Sequence, residues 1–156
     1  MKFLEESILP PPTDQRLKSF ERACRVELPS EFHDLLKTYH GATPITNVFH
    51  GKGREFLIER LLCLLEDPAS DETHGWYDIE VVLSQIDTRL TDDENLVGAN
   101  VIPFASLFAG DFVCLDLRNQ GKQSVVVWLH EESEDFNPVF LNVAGSLSEF
   151  FSMLSE

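Results

Sequence analysis

The side chains able to do chemistry in this sequence are few, and their spacing does not favour catalysis. Five histidines (His33, His40, His50, His74, His130) and three cysteines (Cys24, Cys63, Cys114) are the candidates for a metal ligand or a nucleophile. A metal centre needs ligands spaced to converge on one ion, and no CxxC, HxxxH or HExxH pattern occurs. His33 and His40 share a helical face but stand two turns apart with no carboxylate triad, so they read as surface or capping residues. His40, before Gly41, reads as a helix C-terminal residue, where positive charge is favoured. The run from His50 through Gly51, Lys52 and Gly53 to Arg54 is like a fragment of a phosphate loop. It lacks the earlier glycine and the Ser or Thr after lysine, so a hairpin turn with two solvated cations accounts for it better. There is no GxSxG, and Ser106 and Ser124 have no base near them in sequence. A triad assembled by the fold remains open. The expectation is no catalytic residue, no metal and no cofactor, hence a binding protein and not an enzyme.

What the sequence does concentrate is negative charge. The 156 residues carry 27 acidic and 12 basic side chains, a net −15. Residues 1–60 are balanced, so residues 61–156, whose basic side chains are Arg89, Arg118 and Lys122, hold the whole excess. The densest groups are Glu66, Asp67, Asp71 and Glu72; then Asp92, Asp93 and Glu94; then Glu131, Glu132, Glu134 and Asp135. Each group lies among Ser, Thr, Asn or Pro and reads as an exposed loop. Such loops are either a solubilising surface or a field that attracts a cationic partner. Ordinary surfaces mix signs, so three loops with almost no lysine make a basic protein partner a serious candidate. The same charge repels phosphates and argues against direct nucleic-acid binding. Trp76 and Tyr77 follow the first acidic loop. They are a binding anchor if exposed, but packing of Trp76 over a sheet as core is the preferred reading, and Trp128 reads as core.

The length fits one domain able to bury its own core, and 43% hydrophobic content excludes an acidic disordered tail. No apolar run approaches the roughly 20 residues of a membrane span. Glu5 and Glu6 interrupt what would be a signal-peptide core, and three separated cysteines suit reduced thiols. A cytoplasmic protein, monomeric or weakly dimeric, is expected.

The elements that must position these loops are readable from periodicity. Pro10, Pro11 and Pro12 set an N-terminal arm (1–12) apart from the body (13–156). Thr13 or Asp14 caps a helix to about Arg25, with Leu17, Phe20 and Cys24 on one face. A second helix begins at Pro29, buries Phe32, Leu35, Leu36 and Tyr39, and stops at Gly41. Two short strand-like runs flank Gly51–Gly53, and Leu61–Leu65 fits either a buried strand or a helix turn. Ile79, Val82, Leu83, Ile86 and Leu90 form a helical stripe after Asp78. Three β-rich runs follow (Val101–Phe104, Phe112–Leu117, Ser124–Leu129), with turns at Gly110–Asp111 and Asn119–Lys122, then a strand near Val139–Val143. Ser146 and Glu149 form a capping box for a closing helix that shows Leu147, Phe150, Phe151 and Leu154. The fold class is α+β: a mixed, mostly antiparallel sheet backed by helices.

Four blocks in order resemble the signature of the SMI1/KNR4 family, also called the SUKH superfamily. They are Leu28-Pro29 with Phe32, Leu35, Leu36, Tyr39 and Gly41; Val101–Ala105 with Gly110-Asp111 and Val113–Asp116; Val125–Trp128 with His130; and Ser146–Phe151. The chain departs from the pattern at His40, where asparagine is usual, at Ala109, where a second glycine is usual, and through residues 60–95. The resemblance implies an α+β fold with a mixed sheet backed by helices. It also implies function: many bacterial members are immunity proteins that bind and neutralise toxins, often nucleases, whereas fungal members are regulatory hubs in cell-wall signalling. The expected function is a bacterial immunity protein that occludes a toxin domain through the acidic residues named above with Trp76 or Tyr77. The alternative is a regulatory interaction module with a non-toxin partner.

Overall fold

The computed structural model describes residues 1–119 and 122–156; Gln120 and Gly121, and with them the turn expected over Asn119–Lys122, lie outside the described residues. Helix α1 (Asp14–Cys24) starts where the Thr13 hydroxyl accepts the Arg16 N–H at 3.1 Å. It buries Leu17, Phe20 and Cys24, the three- and four-residue spacing that makes one apolar stripe. Helix α2 (Ser30–Thr38) follows Pro29 and buries Phe32, Leu35 and Leu36. Its exit turns at Gly41, whose φ of +64° favours glycine. A Cβ there would also lie 2.8 Å from Leu9 Cδ1, because residues 1–12 run back across this corner. Leu4 N–H donates to the Thr43 carbonyl, Leu9 N–H donates to the His40 carbonyl, and Phe3 stacks on Tyr39 at 4.4 Å.

Strands β1 (Val48–Gly51), β2 (Arg54–Leu61), β3 (Val101–Leu107), β4 (Phe112–Asn119), β5 (Lys122–Trp128) and β6 (Phe140–Ala144) form one sheet in sequence order, each antiparallel to its neighbour. The β1–β2 link is a two-residue turn with positive φ at Lys52 (49°) and Gly53 (78°), so the HGKGR run is a hairpin corner, as expected. The ambiguous apolar run after Leu61 is extended: Leu62 N–H donates to the Phe104 carbonyl, and Cys63 makes an isolated parallel bridge with Asp78. The sheet curls until its outer strands touch, Gly51 lying against Val143. Between β2 and β3 sit helix α3 (Ile79–Ile86), which packs on β3, and its 3-10 continuation Asp87–Arg89. Ile79, Val82, Leu83, Ile86 and Leu90 are buried as their period requires. Helix α4 (Leu147–Ser152) is capped by Ser146 Oγ, which accepts the Glu149 N–H. The Glu149 carboxylate accepts from Gly145 N–H, one residue earlier than a capping box prescribes.

A chain of aromatic contacts joins the layers. Phe32 of α2 meets Phe104 of β3 edge-on at 6.0 Å, Phe104 meets Phe150 of α4 at 5.9 Å, and Phe150 meets Phe49 of β1 at 5.0 Å. Such edge-to-face pairs are worth about 0.5–1.5 kcal/mol each beyond burial. The architecture is α+β, a meander sheet with helices packed on it. Among the described residues no helix is long and apolar enough to cross a membrane.

Candidate partner-binding surface

Helix α3 is the axis on which the acidic loops are hung. Asp78, with no exposed surface, caps its N-terminus: Oδ1 accepts from Glu80 and Val81 N–H at 2.8 and 3.2 Å. Its Oδ2 accepts from Leu65 N–H at 2.8 Å and faces the Arg16 guanidinium at 3.5 Å. A buried carboxylate is tolerable only with such partners, and these tie Leu65, hence Glu66 and Asp67, to the start of α3. Two 3-10 turns follow, Pro68–Ser70 and Gly75–Tyr77. They close on each other so tightly that a Cβ on Gly75 would lie 2.2 Å from the Pro68 carbonyl oxygen. Asp71 Oδ1 accepts from Thr73 and His74 N–H at 3.1 and 2.8 Å. The His74 N–H foremost holds the Asp71 carboxyl below the usual range, so it is anionic at neutral pH. Glu66, Asp67 and Glu72 are exposed.

At the other end of α3, Thr88 holds the β5–β6 loop: its hydroxyl donates to Asp135 Oδ1 at 2.8 Å, and its carbonyl accepts from Phe136 N–H at 2.6 Å. Arg89 donates to the His130 and Ser133 carbonyls and lies over the Trp128 ring at 5.0 Å. The Trp128 indole N–H donates back to the Arg89 carbonyl at 2.9 Å, which fixes it as core. Glu131, Glu132, Glu134 and Asp135 project from this loop, and Asp92, Asp93 and Glu94 from the neighbouring loop after Leu90. The eleven residues from Ile79 to Arg89 span about 16 Å. The first cluster therefore stands at one end of α3 and the other two at the opposite end. Among the described residues, no lysine or arginine comes within 4 Å of any of these carboxylates; the side-chain neighbours with a ring nitrogen in reach are His74 beside Asp71 at 3.3 Å and His130 beside Glu131 at 4.0 Å.

Trp76 and Tyr77 part company. Trp76 is 70% exposed, which corrects the preference for a core tryptophan: the 3-10 turn faces Gly75 inward and leaves the indole outside. Tyr77 is half-buried with its ring under the Arg60 guanidinium at 4.4 Å, so it is a packing residue more than an anchor. Phe108, equally exposed on the β3–β4 turn, was not singled out by the sequence and carries no polar neighbour pattern that would have marked it.

A family model described as SMI1-KNR4 cell-wall, of the SUKH group, matches residues 14–151. The chain belongs to the SMI1/KNR4 (SUKH) family. It is similar to the SPbeta prophage-derived uncharacterized protein YokK of Bacillus subtilis (strain 168), with 30% identity over 154 residues, covering 92% of this chain and 76% of that protein. No solved structure matches. The SMI1/KNR4 signature residues prove to be scaffold. Pro29 precedes α2, Phe104 and Phe150 meet edge to face, and Gly110 adopts a φ of +95° against the His130 ring. Asp111 Oδ1 receives both the His130 N–H at 2.9 Å and its Nδ1 at 2.6 Å, pinning the β3–β4 turn to the β5–β6 loop.

The three cysteines of this SMI1/KNR4 domain and one of its histidines, His40, are buried. Burial pushes the Cys24 thiol up to about 11 and Cys63 to about 12, and raises Cys114 further, so none is a thiolate at neutral pH. Among the described residues no group of three His, Cys, Asp or Glu could hold a metal ion. His40 departs from its expected role as a charged helix cap. It is 2% exposed, its Nδ1 lies 2.8 Å from the Pro10 carbonyl, and its Nε2 lies 2.8 Å from the Leu64 N–H. A carbonyl only accepts and an amide N–H only donates, so the ring is neutral with its proton on Nδ1. Burial lowers its pKa.

Proposed function

We propose that this protein is a non-enzymatic, cytoplasmic immunity protein that neutralises a cationic toxin domain by stoichiometric binding through the acidic surface around α3. The observation that carries this reading is the placement of three separate acidic loops at the two ends of one helix, with an exposed tryptophan beside the first. Family membership and a prophage-derived relative support a bacterial setting. A toxin that acts on nucleic acid needs a cationic groove, and a surface whose carboxylates have no lysine or arginine beside them covers such a groove by matching its charge. Long-range attraction lifts association above a neutral rate of about 10⁵–10⁶ M⁻¹s⁻¹ toward about 10⁸ M⁻¹s⁻¹, which suits an antidote that must act before damage. The contact region comprises Glu66, Asp67, Asp71, Glu72 and Trp76 at one end, and Asp92, Asp93, Glu94, Glu131, Glu132, Glu134 and Asp135 at the other.

The test is co-expression with the toxin domain encoded beside this chain's gene. Growth that depends on the protein supports immunity. Unchanged toxicity, or neighbours with no toxic product, removes the proposal in favour of a regulatory module with a non-toxin partner.

A further inference from the structure

A cleft of about 410 Å³ opens beside Trp76. Pro68, Ala69, Gly75 and Val81 give it apolar walls, and Trp76 and the acidic residues Asp71 and Glu72 complete its lining. Its size is near the low end of small-ligand sites, roughly 300–1,000 Å³, and fits one long side chain with its flanking backbone. The walls are pre-formed. Gly75 has no side chain because the Pro68 carbonyl already occupies that space, and Val81 is fixed in the first turn of α3, its N–H donating to the Asp78 cap at 3.2 Å.

We infer that this cleft is the pocket for an arginine of the basic partner, its guanidinium stacked on Trp76 and hydrogen-bonded to Glu72. The inference rests on the acidic-surface reading above and names the contact at its centre. Charge complementarity selects the occupant. A purely apolar side chain would desolvate two carboxylates and return no counter-charge, a costly exchange. Asp71 already spends lone pairs on the Thr73 and His74 N–H groups, whereas Glu72 is exposed and makes no hydrogen bond among the described residues. Glu72 is therefore the free acceptor. A guanidinium offers a planar face for the indole and a fork of donors for the carboxylate; the ammonium of lysine is strongly hydrated and has neither. A lone aromatic wall and apolar lining leave too few oxygen donors for a metal ion.

The test uses the full chain and a short glycine-based peptide bearing paired arginines, with matched lysine and citrulline versions. Two-dimensional NMR reads the two indole N–H signals. Trp76 reports the cleft, and Trp128, buried and bonded to Arg89, reports whether the fold is intact. The expected result is a saturable shift of the Trp76 signal with the arginine peptide, weaker binding of the lysine peptide and none of citrulline. Trp76→Ala should weaken binding roughly 5- to 30-fold, read from the backbone amide of Gly75, and Glu72→Gln should also weaken it. Equal binding of arginine and lysine peptides, indifferent to Trp76→Ala, would overturn the inference and leave the broader acidic surface standing. Absence of binding by any peptide at low salt would overturn it as well. Failure of the immunity reading shows separately, in the co-expression experiment.

Discussion

His40 joins the N-terminal arm to the segment that leads into the acidic loops, and replacing it tests whether that join is real. The ring donates to Pro10 on one side and accepts from Leu64 on the other, both at 2.8 Å, with the ring and Leu64 buried. His40→Ala strands the buried Leu64 N–H and removes the donor to the carbonyl of the exposed Pro10. The unpaired N–H alone costs about 1–3 kcal/mol, a sizeable share of a typical 5–15 kcal/mol. His40→Gln keeps one donor and one acceptor and should cost far less. The pair also separates by pH. Burial lowers the His40 pKa in the folded state, although nearby Asp78 opposes the shift. As pH falls through about 6.5, the unfolded chain takes up the proton first. Stability that is whole above that pH is then lost, by up to about 1.4 kcal/mol per pH unit. Protonation of surface carboxylates acts in the opposite direction by relieving repulsion, but equally in both proteins. Urea unfolding at pH 7.5 and 5.5 should therefore show wild type losing ground to His40→Gln on acidification. Parallel pH profiles would refute the neutral, doubly bonded histidine.

Other expectations follow from single contacts. Gly75→Ala places a methyl 2.2 Å from a backbone oxygen, so the two 3-10 turns must separate; thermal unfolding should show destabilisation, and the Trp76 fluorescence spectrum should change. The three buried thiols, with Cys24 near 11 and Cys63 near 12, should react with an aromatic disulfide reagent only after denaturant is added. Rapid labelling of any of them in the native protein would contradict the burial. Ser146→Ala removes the cap of α4 and should cost about 0.5–2 kcal/mol in chemical denaturation.

The elements set by local rules were legible. Thr13, Asp78 and Ser146 have short side chains that accept their own helix N–H groups, and the stripes at Leu17, Phe20, Cys24 and at Ile79 through Leu90 were unmistakable in period. The Gly51–Gly53 turn could be read because positive φ at two adjacent positions has few solutions. What escaped depended on partners distant in sequence. His40 carries the signs of an exposed helix end, and only the return of residues 1–12 across Gly41 buries it. Trp76 has the composition of core, yet a 3-10 turn against Pro68 points it outward, and nothing within five residues announces that contact. Asp78 stands before the α3 stripe in sequence, and the fold makes it both the helix cap and the buried partner of Arg16, sixty-two positions earlier. The acidic clusters were visible as composition, but their grouping at the ends of α3 needed the Thr88–Asp135 and Leu65–Asp78 bonds.

The central claim is that these loops bind a cationic toxin domain, and association kinetics test it most directly. Stopped-flow mixing with a toxin domain that the co-expression experiment identifies should give a rate that falls steeply as salt rises and the screening length shrinks to about 8 Å at physiological ionic strength. Replacing Asp92, Asp93 and Glu94 together by lysine should slow association at low salt by at least about tenfold and flatten the salt dependence. Equal rates and equal salt slopes for wild type and the triple variant would take that loop out of the interface. If Glu131→Lys with Glu132→Lys, and Glu66→Lys with Glu72→Lys, were equally silent, the acidic surface around α3 would not be the binding surface.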